Sequence, residues 1–339
     1  MAGMPATSRS MRLSRGVLAA IATAAVVCGL GLVYLLATAE FASDHGLWIA
    51  ADLVIGFGFV GAGLFAWYRS PGNRIGLLMV ATGFAWYLSL LARTEPPLLF
   101  SIGFLLENLY VGPAVHLLLA YPSGRLEGRI DRALVACAYA AVTLGFVPVA
   151  LFLSSAAYGC AGCPENVFLV ENDPSFGMNW LDGLSVIGVV VPLAVVARLL
   201  QRWRRASRPL RRTVTPVFLA GAVLMITLAT LLAIVLLGGS MELADVFFYS
   251  SLPALALVPF LFLAGLARGR MLRGRGLGRL VRRLGASLER GELRAALAEA
   301  LGDPSVELAY WLPDSRQYVD AEGRPVELPA PETGRSVTE

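Results

Sequence analysis

Three ionisable residues stand inside otherwise apolar stretches of the chain: Asp52, Glu107 and His116. A charge in lipid is costly, so each is expected to face a bundle interior or to be neutral. Two chemistries suit such positions. One is signal sensing, as a ligand contact or a proton-responsive switch. The other is a buried polar contact that fixes helix packing. Glu107 and His116 lie nine residues apart. At ~100° per residue they occupy opposite faces of a helix, about 13 Å apart in height, so they do not pair on their own helix.

Cys160 and Cys163 form a C-x-x-C spacing in a polar stretch between apolar segments, about 156–180. That spacing offers two metal ligands, and no His or second Cys pair lies nearby to complete a tetrahedral site. If the loop lies outside the cell, a local disulfide bracing it is the simpler reading, and a redox sensor the sharper one. Cys28 and Cys137 fall inside apolar stretches and read as small packing residues. Gly274, Gly276 and Gly278 alternate with Arg and Leu. They lack the strand–loop–helix context that a phosphate-binding loop needs. No catalytic set, metal site or cofactor site is expected in this chain.

The elements that must position these residues are membrane helices. Of the 339 residues, 57% are hydrophobic and only 15% charged. Soluble domains are nearer half apolar and a quarter charged, so disorder, a disulfide mini-protein and an ordinary soluble enzyme are excluded. A span needs about 20 apolar residues. Eight segments meet this or nearly so: 16–37, 47–68, 75–92, 99–120, 133–155, 181–199, 214–237 and 246–266. Each is expected to be helical, because an open strand leaves backbone groups unpaired in lipid. The fold class is an all-α polytopic bundle of about eight transmembrane helices, with a short α+β segment at the C-terminal end.

Arginine placement orients the spans. All 28 basic residues are Arg, and 22 of them fall on one side of the predicted membrane, within 1–15, the even-numbered loops and 268–283. The opposite loops hold only Arg93, beside nine acids. Arg marks the cytoplasmic side, so a cell membrane location with both termini cytoplasmic is expected. The 22-residue first segment exceeds a signal-peptide core and reads as a span. Arg198, near the end of the sixth segment, is expected to snorkel to the interface. Trp67, Tyr68, Trp86, Tyr87, Tyr121 and Trp180 lie near span ends and read as interfacial anchors. The Arg-rich runs 198–212 and 268–283 abut spans, so topology and the anionic headgroups of the lipid bilayer explain them, and no nucleic-acid partner is expected. The exterior loops leave no room for a folded ligand-binding domain. A signal is therefore expected to act within the bundle or through the envelope itself.

The tail changes character after the eighth span. Residues 268–283 carry seven Arg and no acid, whereas 284–339 carry five Arg and eleven acids. Leu277, Leu280, Leu284 and Leu288 are spaced for an amphipathic helix. That helix could pair with its copy in a homodimer or lie on the membrane. A second helix is expected over 291–301, ended by Gly302 and Pro304, then strands over 305–312 and 316–320. The division is 1–15, the spans 16–266, a juxtamembrane helix 267–290 and a small domain 291–339. So few strands leave an open edge, and the expectation is that the chain stops inside a domain.

Three segments resemble the membrane-anchored input half of two-component sensor histidine kinases from GC-rich bacteria. They are Pro71-Gly-Asn-Arg-Ile-Gly-Leu-Leu78, where family members often carry Trp in place of Leu77; His116-Leu-Leu-Leu-Ala-Tyr-Pro-Ser-Gly-Arg-Leu126; and Leu293 through Gly323. The last is similar to the start of the GAF-like domain that precedes the kinase core. The resemblance implies a homodimer whose bundle controls ATP-dependent histidine phosphorylation and, through it, a response regulator. The chain departs from the family in lacking that core. Its two His are His45, expected outside, and His116, within a span, so neither is a cytoplasmic phosphoacceptor. ATP and the regulator are therefore implied only for a complete kinase. A transporter or membrane enzyme, and a noncatalytic docking partner, remain as alternative readings.

Overall fold

The computed structural model describes residues 15–39, 46–160, 162–284, 294, 298, 306–313, 315, 317–320, 323–326 and 328. The chain divides into two units, Met1–Leu266 and Ala267–Glu339. Among the described residues, eight helical segments are long and apolar enough to cross a membrane, the pattern of a multi-pass membrane protein. Their bounds follow the apolar segments closely, as in Gly16–Ala37 and Ile75–Arg93.

The elements in order are α1 (Arg15–Ala37), α2 (Gly46–Arg69), α3 (Ile75–Ser89) with a 3-10 turn Leu90–Arg93, α4 (Pro97–Leu106), α5 (Val111–Ala120), α6 (Arg129–Val142), α7 (Phe146–Phe152), α8 (Pro174–Arg205), α9 (Arg208–Leu236) and α10 (Met241–Leu284). The fourth and fifth spans are thus each broken. Turns at 107–110 separate α4 from α5, and residues 143–145 separate α6 from α7. The sixth helix starts seven residues earlier and ends six later than its apolar stretch. Asp173 caps its start, with the Phe176 N–H donating to Asp173 Oδ1 at 3.0 Å, and Pro174 follows at a first-turn position. Arg202, Arg204 and Arg205 sit in its last turn, where cations suit the helix dipole.

Between helices in lipid the driving force is close packing rather than exclusion of water, so small residues mark the tightest crossings. The α2–α3 pair shows this. A Cβ on Gly76 would fall 2.5 Å from the Trp67 nitrogen and 2.7 Å from the Gly63 oxygen, and one on Gly83 would fall 2.9 Å from the Gly56 oxygen. Glycines 56, 63, 76 and 83 thus bring the two backbones together. The main core draws on α2, α3, α5, α8, α9 and α10, including Ile55, Met79, Val115, Leu119, Val195, Leu252 and Phe262. A second cluster of Phe100, Phe104, Phe146, Val149 and Leu153 joins α4 to α7.

Several residues sit differently from their expected places. Trp86, Tyr87 and Tyr121 are buried in the bundle rather than placed as interfacial anchors. Trp86 hydrogen-bonds inward and Tyr121 packs against Phe262 at 5.2 Å between ring centroids. Tyr68 and Trp180 are exposed, as anchors should be. Cys28 and Cys137 are exposed on the outer surface of the bundle and do not pack its interior. Arg198 does not simply snorkel: its Nε lies 2.9 Å from Oδ1 of fully buried Asp131.

In the second unit, β1 (Tyr310–Leu312) pairs antiparallel with β2 (Gln317–Val319), Trp311 opposite Tyr318. These fall inside the two expected strands. A bridge from Val319 to Pro325 extends the sheet. This two-stranded sheet does not by itself make a GAF-like fold. His45, most of 291–301, and the side chains of the Leu277–Leu288 stripe lie outside the described residues.

Candidate functional site

The site grows from a salt bridge buried between α2 and the end of α3. Asp52 lies in the second turn of α2 and is fully buried. Arg93 closes the 3-10 turn, and its Nη1 donates to Asp52 Oδ2 at 2.7 Å. A lone carboxylate could not stay ionised there, and the guanidinium answers it. Trp86 Nε1 donates to the Asp52 backbone oxygen at 3.1 Å, tying the ring to the same turn of α2. The Arg93 guanidinium also lies over the Phe248 ring of α10, at 6.0 Å from its centroid.

Glu107 follows α4, at the break in the fourth span. Its Oε2 accepts a hydrogen bond from the Tyr158 hydroxyl at 3.1 Å. Tyr158 comes from the loop between α7 and α8, and the loop's own bonds hold it in place. Asn166 Nδ2 donates to the Ala150 oxygen at 2.7 Å. The Val167 N–H donates to Ser101 Oγ at 2.8 Å. Cys160 and Cys163 are joined in a disulfide two residues after Tyr158. The phenol packs edge-on against Phe104 at 4.9 Å, and burial and the Glu107 carboxylate hold its pKa well above the usual tyrosine range.

Arg93, Glu107 and Tyr158 all face one cavity of about 430 Å³. Its other walls come from α5, α6, α8, α9 and α10, and are mostly aliphatic, with Trp86, Tyr110, Phe248 and Tyr249 as aromatic faces. Tyr110 meets Trp86 edge-on at 4.7 Å. A smaller apolar cavity of about 80 Å³ shares Trp86, Tyr110, Leu228 and Phe248 with it. This is the arrangement of a small-molecule site: a largely apolar hollow with a few convergent polar groups.

Of the three intramembrane residues singled out by type, two therefore meet through one cavity wall. Asp52 holds Arg93, and Glu107 faces the hollow directly. His116 is not part of the site. It lines neither cavity and lies edge-on to Tyr139 at 6.2 Å. Sequence reasoning missed Arg93, which looked like the lone basic residue of an exterior loop. It also missed Tyr158, for which a loop offers no periodic signal. Among the described residues, no group of three or more His, Cys, Asp or Glu could hold a metal ion.

A second polar cluster lies at the other end of the bundle. Asn73 Nδ2 donates to the Pro122 oxygen at 3.1 Å, and Asn73 Oδ1 accepts from the Ile75 N–H at 3.0 Å. Gly124 sits against Asn73 with φ of 76°, a left-handed turn that favours glycine. Arg202 donates to the Leu119 oxygen at 2.5 Å and to the Tyr121 oxygen at 3.1 Å, capping α5. Tyr121 in turn packs against Gly265 of α10, where a Cβ would meet its hydroxyl. The 71–78 and 116–126 segments are therefore one structural joint that reaches α10. The chain matches no known protein family, no curated protein and no solved structure.

Proposed function

We propose that the chain is the membrane-embedded input module of a two-component sensor histidine kinase, receiving its signal in the larger cavity. In this reading it lies in the cell membrane as a homodimer with both ends in the cytoplasm, and residues 291–339 begin a GAF-like domain. ATP and the response regulator belong to a kinase core outside this sequence. The observation that carries the reading is the course of α10. The helix walls the cavity at Phe248 and Tyr249, touches Arg93, packs on Tyr121 at Gly265 and continues as one helix to Leu284. A ligand that prefers one placement of α10 shifts the equilibrium between two placements by its differential affinity. The resemblance of three sequence segments to this family supports the same assignment.

The test joins residues 1–339 to an intact histidine-kinase core in membrane vesicles and follows autophosphorylation with ATP. Leu228→Trp, which adds bulk at a residue lining both cavities, and Gly265→Ala, which presses on Tyr121, are expected to change the phosphorylation rate several-fold. Rates that stay at the parent level for both variants, in correctly inserted protein, would refute the reading.

A second reading is favoured by one feature. Two spans are broken, and Glu107 stands at one of the breaks. Transporters place substrate at such discontinuous helices. Uptake or exchange by proteoliposomes, abolished by Glu107→Gln, would establish transport instead.

A further inference from the structure

We propose that the larger cavity binds an amphipathic organic cation, a charged nitrogen or phosphorus centre carried on an apolar body. Apart from tyrosines, the ionisable residues lining the cavity are Arg93 and Glu107. Arg93 is bonded at 2.7 Å to Asp52, which lies fully buried behind it, so those two charges cancel. Glu107 has no ion pair among the described residues, and its hydrogen-bond partner is a neutral phenol. The polar end thus holds one carboxyl group with no cation beside it. A bound cation would favour its ionised form and gain an ion pair where electrostatics are strong, a gain that neither an anion nor a neutral molecule has.

Glu107 also shares the cavity with aromatic side chains. Trp86, Tyr110, Tyr158, Phe248 and Tyr249 present aromatic rings to the same hollow. Aromatic faces attract organic cations within about 6 Å, more so when both are desolvated. The remaining wall is aliphatic and sets the other half of the ligand: an apolar body, in a volume within the usual range for small-molecule sites. The inference rests on the cavity being where the signal is received, but binding is read directly and needs no kinase.

The experiment uses the full chain in phosphatidylcholine nanodiscs, with radiolabelled tetraphenylphosphonium as the probe and empty discs as background. Saturable binding is expected, at least tenfold weaker in Glu107→Gln, with neutral triphenylphosphine oxide failing to compete. The charged and neutral probes are compared on the parent protein, so the test stands even if the variant does not fold. Absence of saturable binding, equal competition by the neutral probe, or an unchanged affinity in a folded Glu107→Gln protein would each overturn the proposal. Binding without any response of a fused kinase would overturn the sensor reading alone. A kinase that responds to Leu228→Trp without cation binding would overturn this inference alone.

Discussion

Removing Arg93 is predicted to destabilise the bundle more than removing the charge of Asp52. The two partners are unequally placed. The Asp52 side chain is 0% exposed, whereas that of Arg93 is 32% exposed at the cavity wall. Arg93→Met leaves the fully buried carboxyl of Asp52 with no cation beside it. Orphaning a buried charge in this way costs about 3–5 kcal/mol. Asp52→Asn keeps the shape and frees Arg93 on its open side. The loss is then one charge-assisted hydrogen bond, about 1.5–3 kcal/mol. Removing both charges together leaves no orphan, so the double variant should be less destabilised than the two single costs combined, by about 1–3 kcal/mol. Reversible unfolding in mixed micelles with rising dodecyl sulfate measures all four proteins. An Arg93→Met cost no larger than that of Asp52→Asn, or strict additivity in the double variant, would refute the reasoning.

Three further outcomes follow from the packing and caps. Gly76→Val should cost at least about 1–3 kcal/mol by overpacking, because its side chain meets the Trp67 nitrogen and the Gly63 oxygen, which are backbone atoms; the same unfolding assay reads it. Asn73→Ala should lose about 1–3 kcal/mol and open the 120–126 turn to proteolysis, since one side chain holds both Pro122 and Ile75; Asn73→Asp should keep the Ile75 bond and lose the other. At the start of α8, the hydroxyl of Ser175 and the N–H of Phe176 hold the Asp173 carboxyl below the usual aspartate pKa. A depressed pKa stabilises the capped turn above the ordinary aspartate range, and this is lost as pH falls through the lowered value. The protection factor of the Phe176 amide, its exchange rate corrected for the intrinsic pH dependence, should therefore fall on acidification, and Asp173→Asn should flatten that dependence.

Much of the architecture was legible because lipid imposes length and apolarity on every span. The bounds Gly16–Ala37 and Ile75–Arg93 differ by a residue or less from those read off composition. What composition hides is anything apolar on both sides of an irregularity. The break at 107–110 lies between Pro97–Leu106 and Val111–Ala120, two equally apolar helices, so no change in character announces it. The apolar stretch 181–199 stops short of both ends of α8 because Ser175, Gly177 and Asn179 at one end and the arginines at the other interrupt the apolar run. Asp173 followed by Pro174, a capping residue ahead of a first-turn proline, is the signal that would have found its start. The ion pairs were invisible for a different reason. Asp52 was conspicuous as a charge in an apolar run, but its partner lies 41 residues away at the edge of another span, and only the α2–α3 packing brings them together. The same holds for Asp131 and Arg198, 67 residues apart. The 71–78 and 116–126 segments stood out as motifs; that they dock on one another through Asn73 and Pro122 is a tertiary fact.

The most direct test of a signal-receiving cavity is a titration of the 1–339 kinase fusion in vesicles with tetraphenylphosphonium, following autophosphorylation. A change of rate is expected whose midpoint coincides with that of binding and which disappears in Glu107→Gln. A rate that stays constant while the cavity fills would contradict it.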